Sequence, residues 1–208
     1  MLNIVLFEPE IPANTGNIGR TCVVTGTRLH LIAPLGFSLD DHMLHRAGLG
    51  YWRSLDVTVY QGWNDFLARN ELAPDDARLH LLTKKARRTY AESAYADGDF
   101  LVFGKESTGI PEELLAQAPD RCERIPMLTD ERALKDADAW AAPDAAPADR
   151  PILRQDICGN FVNPDDYRIS ALNLSNAAAI VLYEALRQTG FPGMWPSQIG
   201  DVFVFAQI

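Results

Sequence analysis

Three short segments hold most of the side chains in this 208-residue chain that could do chemistry. NTGNIGR (residues 14–20) follows an apolar run and opens a helical pattern. FGKESTGIP (103–111) brackets Glu106 between Gly104 and Gly109, and LNLSNAAA (172–179) sets Asn173, Ser175 and Asn176 at the start of the longest helical stretch. Each segment lies where a strand hands over to a helix, a junction at which α/β folds leave backbone N–H groups free to hold a ligand. On a helix through 15–25, Ile18, Cys22 and Thr25 share one stripe while Asn17, Arg20 and Val24 share another, so Arg20 is expected to turn away from the core. A guanidinium there either meets a phosphate or a reacting hydroxyl or is simply solvated. Asn14 either serves a site or caps the helix, and any of Asn173, Ser175 and Asn176 is able to cap the last one. Glu106 is a hydrated loop carboxylate, an acceptor for a ligand, or the group that orients Arg20.

The elements that must position these residues follow from apolar periodicity. Runs rich in Ile, Val and Leu at 2–7, 29–33, 57–60, 79–83, 100–103 and 122–127 are expected to be buried parallel strands. Helices are expected at 15–25, 40–47, 62–70, 111–117 and 175–189, the last packing Ala177, Ile180, Val181 and Leu182 inward, which gives the rhythm of a doubly wound α/β sheet. Pro111 suits a first helical position with Glu112 and Glu113 behind it, and Gly190 and Pro192 stop the last helix. From 128 to 169 the pattern fails in an Ala-, Pro- and Asp-rich stretch, with short ordered pieces expected around ERALKDADAW and ILRQDICGNFV. The expected organisation is a single domain over 1–208, with an insertion at about 128–169 and a short extension at 194–208 whose apolar run, 202–206, would add an edge strand or meet a partner.

Composition narrows the function classes. At 47% hydrophobic residues the chain can bury a full core. No apolar stretch approaches the roughly 20 residues of a membrane span, and the acidic start does not resemble a signal peptide, so a cytoplasmic protein away from membranes is expected. Cys22, Cys122 and Cys158 lack CxxC spacing, and His30, His42, His45 and His80 lack zinc-site order, which speaks against disulfides and a structural metal. A net charge of -9 argues against nucleic-acid binding by bulk electrostatics. Residues 129–168 hold nine acids against five bases, whereas KKARR (84–88) is locally basic, either a solvated turn or a phosphate-contacting patch. GxGxxG, GxxxxGK[ST] and GxSxG are missing, which weakens dehydrogenase, nucleotide-triphosphatase and serine-hydrolase readings.

Taken in order, NTGNIGR, FGKESTGIP and IPM…LNLSNA resemble the three motifs of the SPOUT, or α/β-knot, RNA methyltransferases. The start LNIVLFEPEIPANTGNIGR and the later YEALRQTGFPG are similar to the branch that 2′-O-methylates the tRNA wobble nucleotide, the match covering about 1–127 and 170–193. The resemblance implies a parallel sheet with helices on both faces, a C-terminal deep trefoil knot, a homodimer, S-adenosylmethionine as methyl donor without a metal, and tRNA as partner. Position by position it puts the donor against Leu82, Thr83, Gly104, Ile125, Ala171 and Leu172. It puts the family's functional polar positions at Asn14, Arg20, Glu106 and Asn173, with Ser175 and Asn176 beside them. It implies that Arg20 acts on the ribose hydroxyl. Since a guanidinium hardly ever gives up its proton, the expected role is to clamp the adjacent phosphate and stabilise developing negative charge.

Two departures from the family pattern stand out: Ala171 occupies the usual serine position of the third motif, with Ser170 one residue earlier, and about forty residues separate IPM from that motif. Alternatives to the wobble ribose are 2′-O-methylation of another RNA, or a non-catalytic RNA- or protein-binding module whose insertion blocks the site.

Overall fold

In a computed structural model, residues 1–39, 50–127, 154–155, 161–162 and 171–194 are described. In chain order the elements are β1 (Asn3–Phe7), α1 (Pro12–Thr25), β2 (Arg28–Ile32), β3 (Val57–Tyr60), α2 (Trp63–Arg69), β4 (Leu79–Leu82), β5 (Phe100–Phe103), α3 (Glu112–Gln117), β6 (Cys122–Glu123), β7 (Arg154–Gln155), β8 (Phe161–Val162) and α4 (Leu174–Gln188), with single 3-10 turns at Gly50–Ser54, Tyr90–Glu92 and Pro119–Arg121. The first six strands form one sheet in the order β3-β2-β1-β5-β4-β6, and every neighbouring pair is parallel. β7 and β8 pair separately and antiparallel.

The unbroken apolar runs are strands because both sheet faces are covered, and the period-2 alternation deals successive residues to two cores. Ile4, Leu6, Leu29, Leu31, Leu101 and Phe103 meet Ile18 and Cys22 of α1 and Val181, Leu182 and Ala185 of α4. Val5, Phe7, Ile32, Leu79, Leu81 and Val102 meet Phe66 of α2 and Leu115 of α3. From β1 the chain builds outward through β2 and β3, then returns to β1's other side through β5, so the carboxyl ends of β1 and β5 flank a topological switch point, where open α/β sheets bind ligands.

Several boundaries differ from expectation. α1 begins at Pro12, three residues early, because proline is preorganised for a first turn. Pro111 caps α3 instead of opening it. The expected strand at 122–127 pairs only over Cys122–Glu123. Of the residues expected inward on α4, Val181 and Leu182 are buried and Ala177 is partly buried against the core, whereas Ile180 is 38% exposed and Ala178, Ala185 and Leu186 complete the buried stripe. The expected helix at 40–47, the piece around ERALKDADAW and the run at 202–206 lie outside the described residues. Strands β7 and β8 fall within the segment ILRQDICGNFV, where a short ordered piece was expected.

Behind β4 lies a buried polar cluster with a measurable consequence. His80 Nδ1 lies 2.6 Å from Glu123 Oε1 and its Nε2 3.1 Å from Asp99 Oδ2, while the Tyr95 hydroxyl donates to Glu123 at 2.7 Å. Burial by itself would lower the His80 pKa, but the hydrogen bonds and charges of Asp99 and Glu123 overcome it and raise it to about 8. A group whose pKa is raised on folding stabilises most when protonated in both states. This contribution is therefore complete below about pH 6.5 and is lost as pH rises through about 8. Chemical unfolding at pH 6 and pH 9 should differ by about 2 kcal/mol from this group, and His80→Gln should remove that difference; an unchanged pH profile in the variant would refute the assignment.

Candidate active site

Four residues from three distant segments are joined by side-chain hydrogen bonds at the switch point. Glu106 accepts from the Glu10 backbone N–H at 2.9 Å and from Asn14 Nδ2 at 2.9 Å. Asn14 Oδ1 accepts from Asn173 Nδ2 at 2.9 Å, and Asn173 Oδ1 accepts from the Ser175 backbone N–H at 2.9 Å and from its hydroxyl at 2.6 Å. The polarity of this chain is fixed at one end. A carboxylate only accepts, so Asn14 must turn its amide N–H toward Glu106 and its carbonyl toward Asn173, which does the same one step on. Ser175 has then committed its proton to Asn173, and only oxygen lone pairs remain for anything beyond it.

The geometry settles which job each residue does. Asn14 is not the α1 cap: Ile11 holds that position without a side-chain bond, and Asn14, 2% exposed, sits inside the first turn with its amide spent on Glu106 and Asn173. Asn173 caps α4 through the Ser175 and Asn176 N–H groups. Glu106 engages Asn14 and Glu10 rather than orienting Arg20.

Two loops hold the cluster in register. Ser107 donates both its backbone N–H and its hydroxyl to the Glu10 carboxylate at 2.9 Å, and Lys105 reaches Glu8 at 2.9 Å, so the turn before α1 is tied to the loop after β5. That loop folds on itself as Gly109 N–H donates to the Lys105 carbonyl at 2.8 Å. A Cβ on Gly104 would stand 2.1 Å from both the Gly109 carbonyl carbon and the Ile110 nitrogen, and Gly109 has φ +75°. Gly104 is therefore required by the close backbone approach, and Gly109 is favoured by its left-handed conformation. Glu10 and Ser107 were invisible to sequence reasoning, since a loop acid and a loop serine carry no spacing signal until the loops meet.

Arg20 is exposed, as its stripe predicts, together with Asn17 and Val24, while Ile18, Cys22 and Thr25 are buried. Six residues beyond Asn14 it stands about 9 Å further along the helix and on a different side, so a single protomer does not bring it into the Asn14–Asn173 chain. Its guanidinium lies 5.1 Å from the centroid of the Tyr51 ring, and the Tyr51 hydroxyl donates to the Gly16 carbonyl. Burial raises the Tyr51 phenol pKa while Arg20 pulls the other way. Trp52 closes over Gly19, where a Cβ would meet the indole at 3.1 Å. Among the described residues Arg20 has no carboxylate partner, and its guanidinium interacts with the Tyr51 side chain. Tyr51 escaped sequence reading because thirty residues of chain separate it from Arg20.

The expected donor positions gather at the same end of the sheet. Leu82 ends β4 in register with Phe103 of β5 and Glu123 of β6, the Thr83 N–H donates to the Glu123 carbonyl at 2.8 Å, and Gly104 follows β5 directly. Ile125 packs on the core edge, and Ala171 and Leu172 are exposed beside the α4 cap. Ser170 lies outside the described residues. Among the described residues no group of three or more His, Cys, Asp or Glu side chains is arranged to hold a metal, and no helix is long and apolar enough to cross a membrane.

Glu106→Gln tests the polarity argument. One of the two bonds to the carboxylate would become a donor facing a donor, at a cost of about 1–3 kcal/mol. Urea unfolding should show a lower midpoint at unchanged slope, and an unmoved midpoint would mean that the chain is not held from this end.

A six-stranded parallel sheet with a polar relay at its switch point is a ligand-binding α/β frame, and comparison with known proteins gives its class as a methyltransferase. The SpoU rRNA Methylase family matches residues 1–139, and the chain belongs to that family. It is similar to the tRNA (cytidine(34)-2′-O)-methyltransferase of Saccharophagus degradans, 41% identical over 194 residues that cover 93% of this chain and 99% of that one. A solved structure described for the 2-OH methylation of C/U34 on tRNA is 34% identical, with a TM-score of 0.63, over 90% of this chain and 95% of that one. The SpoU methyltransferase AviRb from Streptomyces viridochromogenes, in complex with the cofactor AdoMet, shares the fold at 20% identity and a TM-score of 0.60, over 90% of this chain and 57% of that one.

Proposed function

We propose that this chain is an S-adenosylmethionine-dependent methyltransferase that modifies the ribose 2′-hydroxyl of the wobble nucleotide in the tRNA anticodon loop. The observation that carries the reading is the fixed-polarity chain Glu106–Asn14–Asn173–Ser175 at the switch point of a SpoU-family sheet.

The donor positions fit the proposed ligand. Leu82 and Ile125 are half-buried and apolar, Leu172 is 39% exposed, and Gly104 has no side chain to obstruct the backbone, which suits an adenine lying against apolar walls and bonding to fixed peptide groups. When bound, S-adenosylmethionine supplies an electrophilic methyl on a sulfonium. The protein's part is then positioning and charge. Ser175, its proton given to Asn173, accepts the hydrogen bond of the substrate hydroxyl and aims the oxygen. Arg20 grips the adjacent phosphate and lowers the cost of negative charge growing on that oxygen.

Because Arg20 turns to Tyr51 and makes no hydrogen bond to the Glu106–Ser175 chain within one protomer, the reading includes a homodimer in which the second copy brings the arginine. Support comes from the outer faces of α1 and α4, where Val24 (67% exposed), Ile180 (38%) and Tyr183 (49%) offer apolar surface. The reading further includes a C-terminal trefoil knot formed around the donor and a cytoplasmic location.

Incubation with labelled donor and unfractionated tRNA, followed by mass-spectrometric mapping, is the test. A 2′-O-methyl on the wobble nucleotide is expected. A methyl at another nucleotide or in another RNA would move the substrate, and no transfer with no donor binding would leave a non-catalytic module.

A further inference from the structure

The tRNA reading meets a physical obstacle: a chain of net charge -9 repels a polyanion at long range. Local cations must therefore supply the attraction, and the structure concentrates them in one place. Lys84, Lys85, Arg87 and Arg88 all lie on the exposed turn after β4, and no other five-residue window of the sequence carries as many basic residues. The residues flanking β6, packed alongside, add Arg121 and Arg124, and the Arg124 N–H donates to the Arg88 carbonyl at 2.9 Å.

Among the described residues, two of these groups are held by the protein and the others are not. Lys85 pairs with Glu112, and Arg88 bonds the Asp120 carbonyl at 2.9 Å and Glu123 at 3.3 Å, so both are held in place at the wall of a groove of about 780 Å³. Among the described residues Lys84, Arg87, Arg121 and Arg124 have no acidic partner. The turn starts at the residue after Thr83, on the strand that neighbours β5, and so opens at the same end of the sheet as the Glu106 loop.

We infer that this groove and the basic turn at its rim form an RNA phosphate-backbone site: Arg87, which lines the groove with Lys85 and Arg88, and Lys84, exposed on the same turn, hold the sugar-phosphate strand of the substrate beside the methyl-transfer centre. The inference rests on RNA being the substrate and adds where the strand is gripped. Contacts of this kind read charge and not sequence, so they set affinity and its salt dependence without choosing the nucleotide.

The experiment compares the full chain with Lys84→Ala/Arg87→Ala, titrating unmodified tRNA by fluorescence anisotropy between about 50 and 300 mM salt. Each lost phosphate contact should flatten the plot of log affinity against log salt by about 0.7–0.9. The double variant should thus lose roughly tenfold or more in tRNA affinity near 0.1 M salt. The KM for tRNA should rise in step, with S-adenosylmethionine affinity by calorimetry and the thermal midpoint unmoved. Arg28→Ala/Arg69→Ala, an equal charge loss at the opposite edge, should leave the salt slope as it was.

A double variant with wild-type affinity and slope overturns the inference, as would be expected if the turn served an acidic protein instead. So does a loss of donor affinity equal to the loss of tRNA affinity, which would mark a structural role. Should the wild-type chain neither bind nor methylate tRNA, the proposed function falls first and the surface with it. A wild type that methylates while the variant binds normally removes the surface alone.

Discussion

Replacing Arg20 by lysine is expected to lower turnover by roughly 10²–10³-fold, the usual cost of removing one preorganised donor from a developing oxyanion, while S-adenosylmethionine binds as before. The reasoning starts from shape. Lysine keeps the positive charge but is a compact ammonium on a flexible stem, whereas the guanidinium is a planar fork able to bridge phosphate oxygens. In this protein the plane is also supported, since Arg20 lies 5.1 Å over the Tyr51 ring and that ring is anchored by its hydroxyl on the Gly16 carbonyl of the same helix. Tyr51→Ala should therefore reproduce part of the loss and Tyr51→Phe much less of it. Single-turnover rates with saturating donor and tRNA separate the outcomes. Parallel losses in donor affinity and rate for Arg20→Lys would sink the clamp and make Arg20 a structural residue.

How much of this was legible in advance depended on the range of the physics. The strand at 100–103 coincides with β5 because burial on both faces leaves an unbroken apolar signature, and the one at 57–60 coincides with β3 although that strand lies at the sheet edge with Val59 exposed. The exposed stripe of Asn17, Arg20 and Val24 followed from helix periodicity alone. Asn14 shows the limit. Its residue type favours a cap, and only the arrival of Glu106 from 92 residues away and Asn173 from 159 residues away converts it into the middle of a relay. Ile180 fails for a related reason: helical periodicity marks it as apolar but not which edge of the stripe lacks a neighbour. Resemblance to known sequences picked out Asn14, Glu106, Asn173 and Ser175 as a set; it could not give their order in the chain or the direction of its hydrogen bonds, which follow from one carboxylate that has nothing to donate.

Gly104→Ala should be the most damaging change outside Arg20, and through the backbone instead of the chemistry. The added Cβ would lie 2.1 Å from the Gly109 carbonyl carbon and the Ile110 nitrogen and 2.6 Å from Gly109 Cα. None of these is a side chain that can rotate away, so the loop between Gly104 and Ile110 must open. Opening it breaks the Gly109-to-Lys105 hydrogen bond and pulls Glu106 from Asn14 and from the Glu10 N–H, which releases the relay from its fixed end. Overpacking with backbone displacement should cost about 3 kcal/mol, or roughly 6–12 °C in thermal midpoint for a chain of this size. Donor binding should fall with it, since Gly104 lies at the proposed adenine wall. Gly109→Ala provides the contrast: with φ +75° and nothing within 4 Å of its added carbon, it meets only the conformational penalty of about 1 kcal/mol. Differential scanning calorimetry of the two variants therefore discriminates. Equal, small losses would mean that the close approach at Gly104 relaxes without consequence, and that the loop is not what holds Glu106 in place.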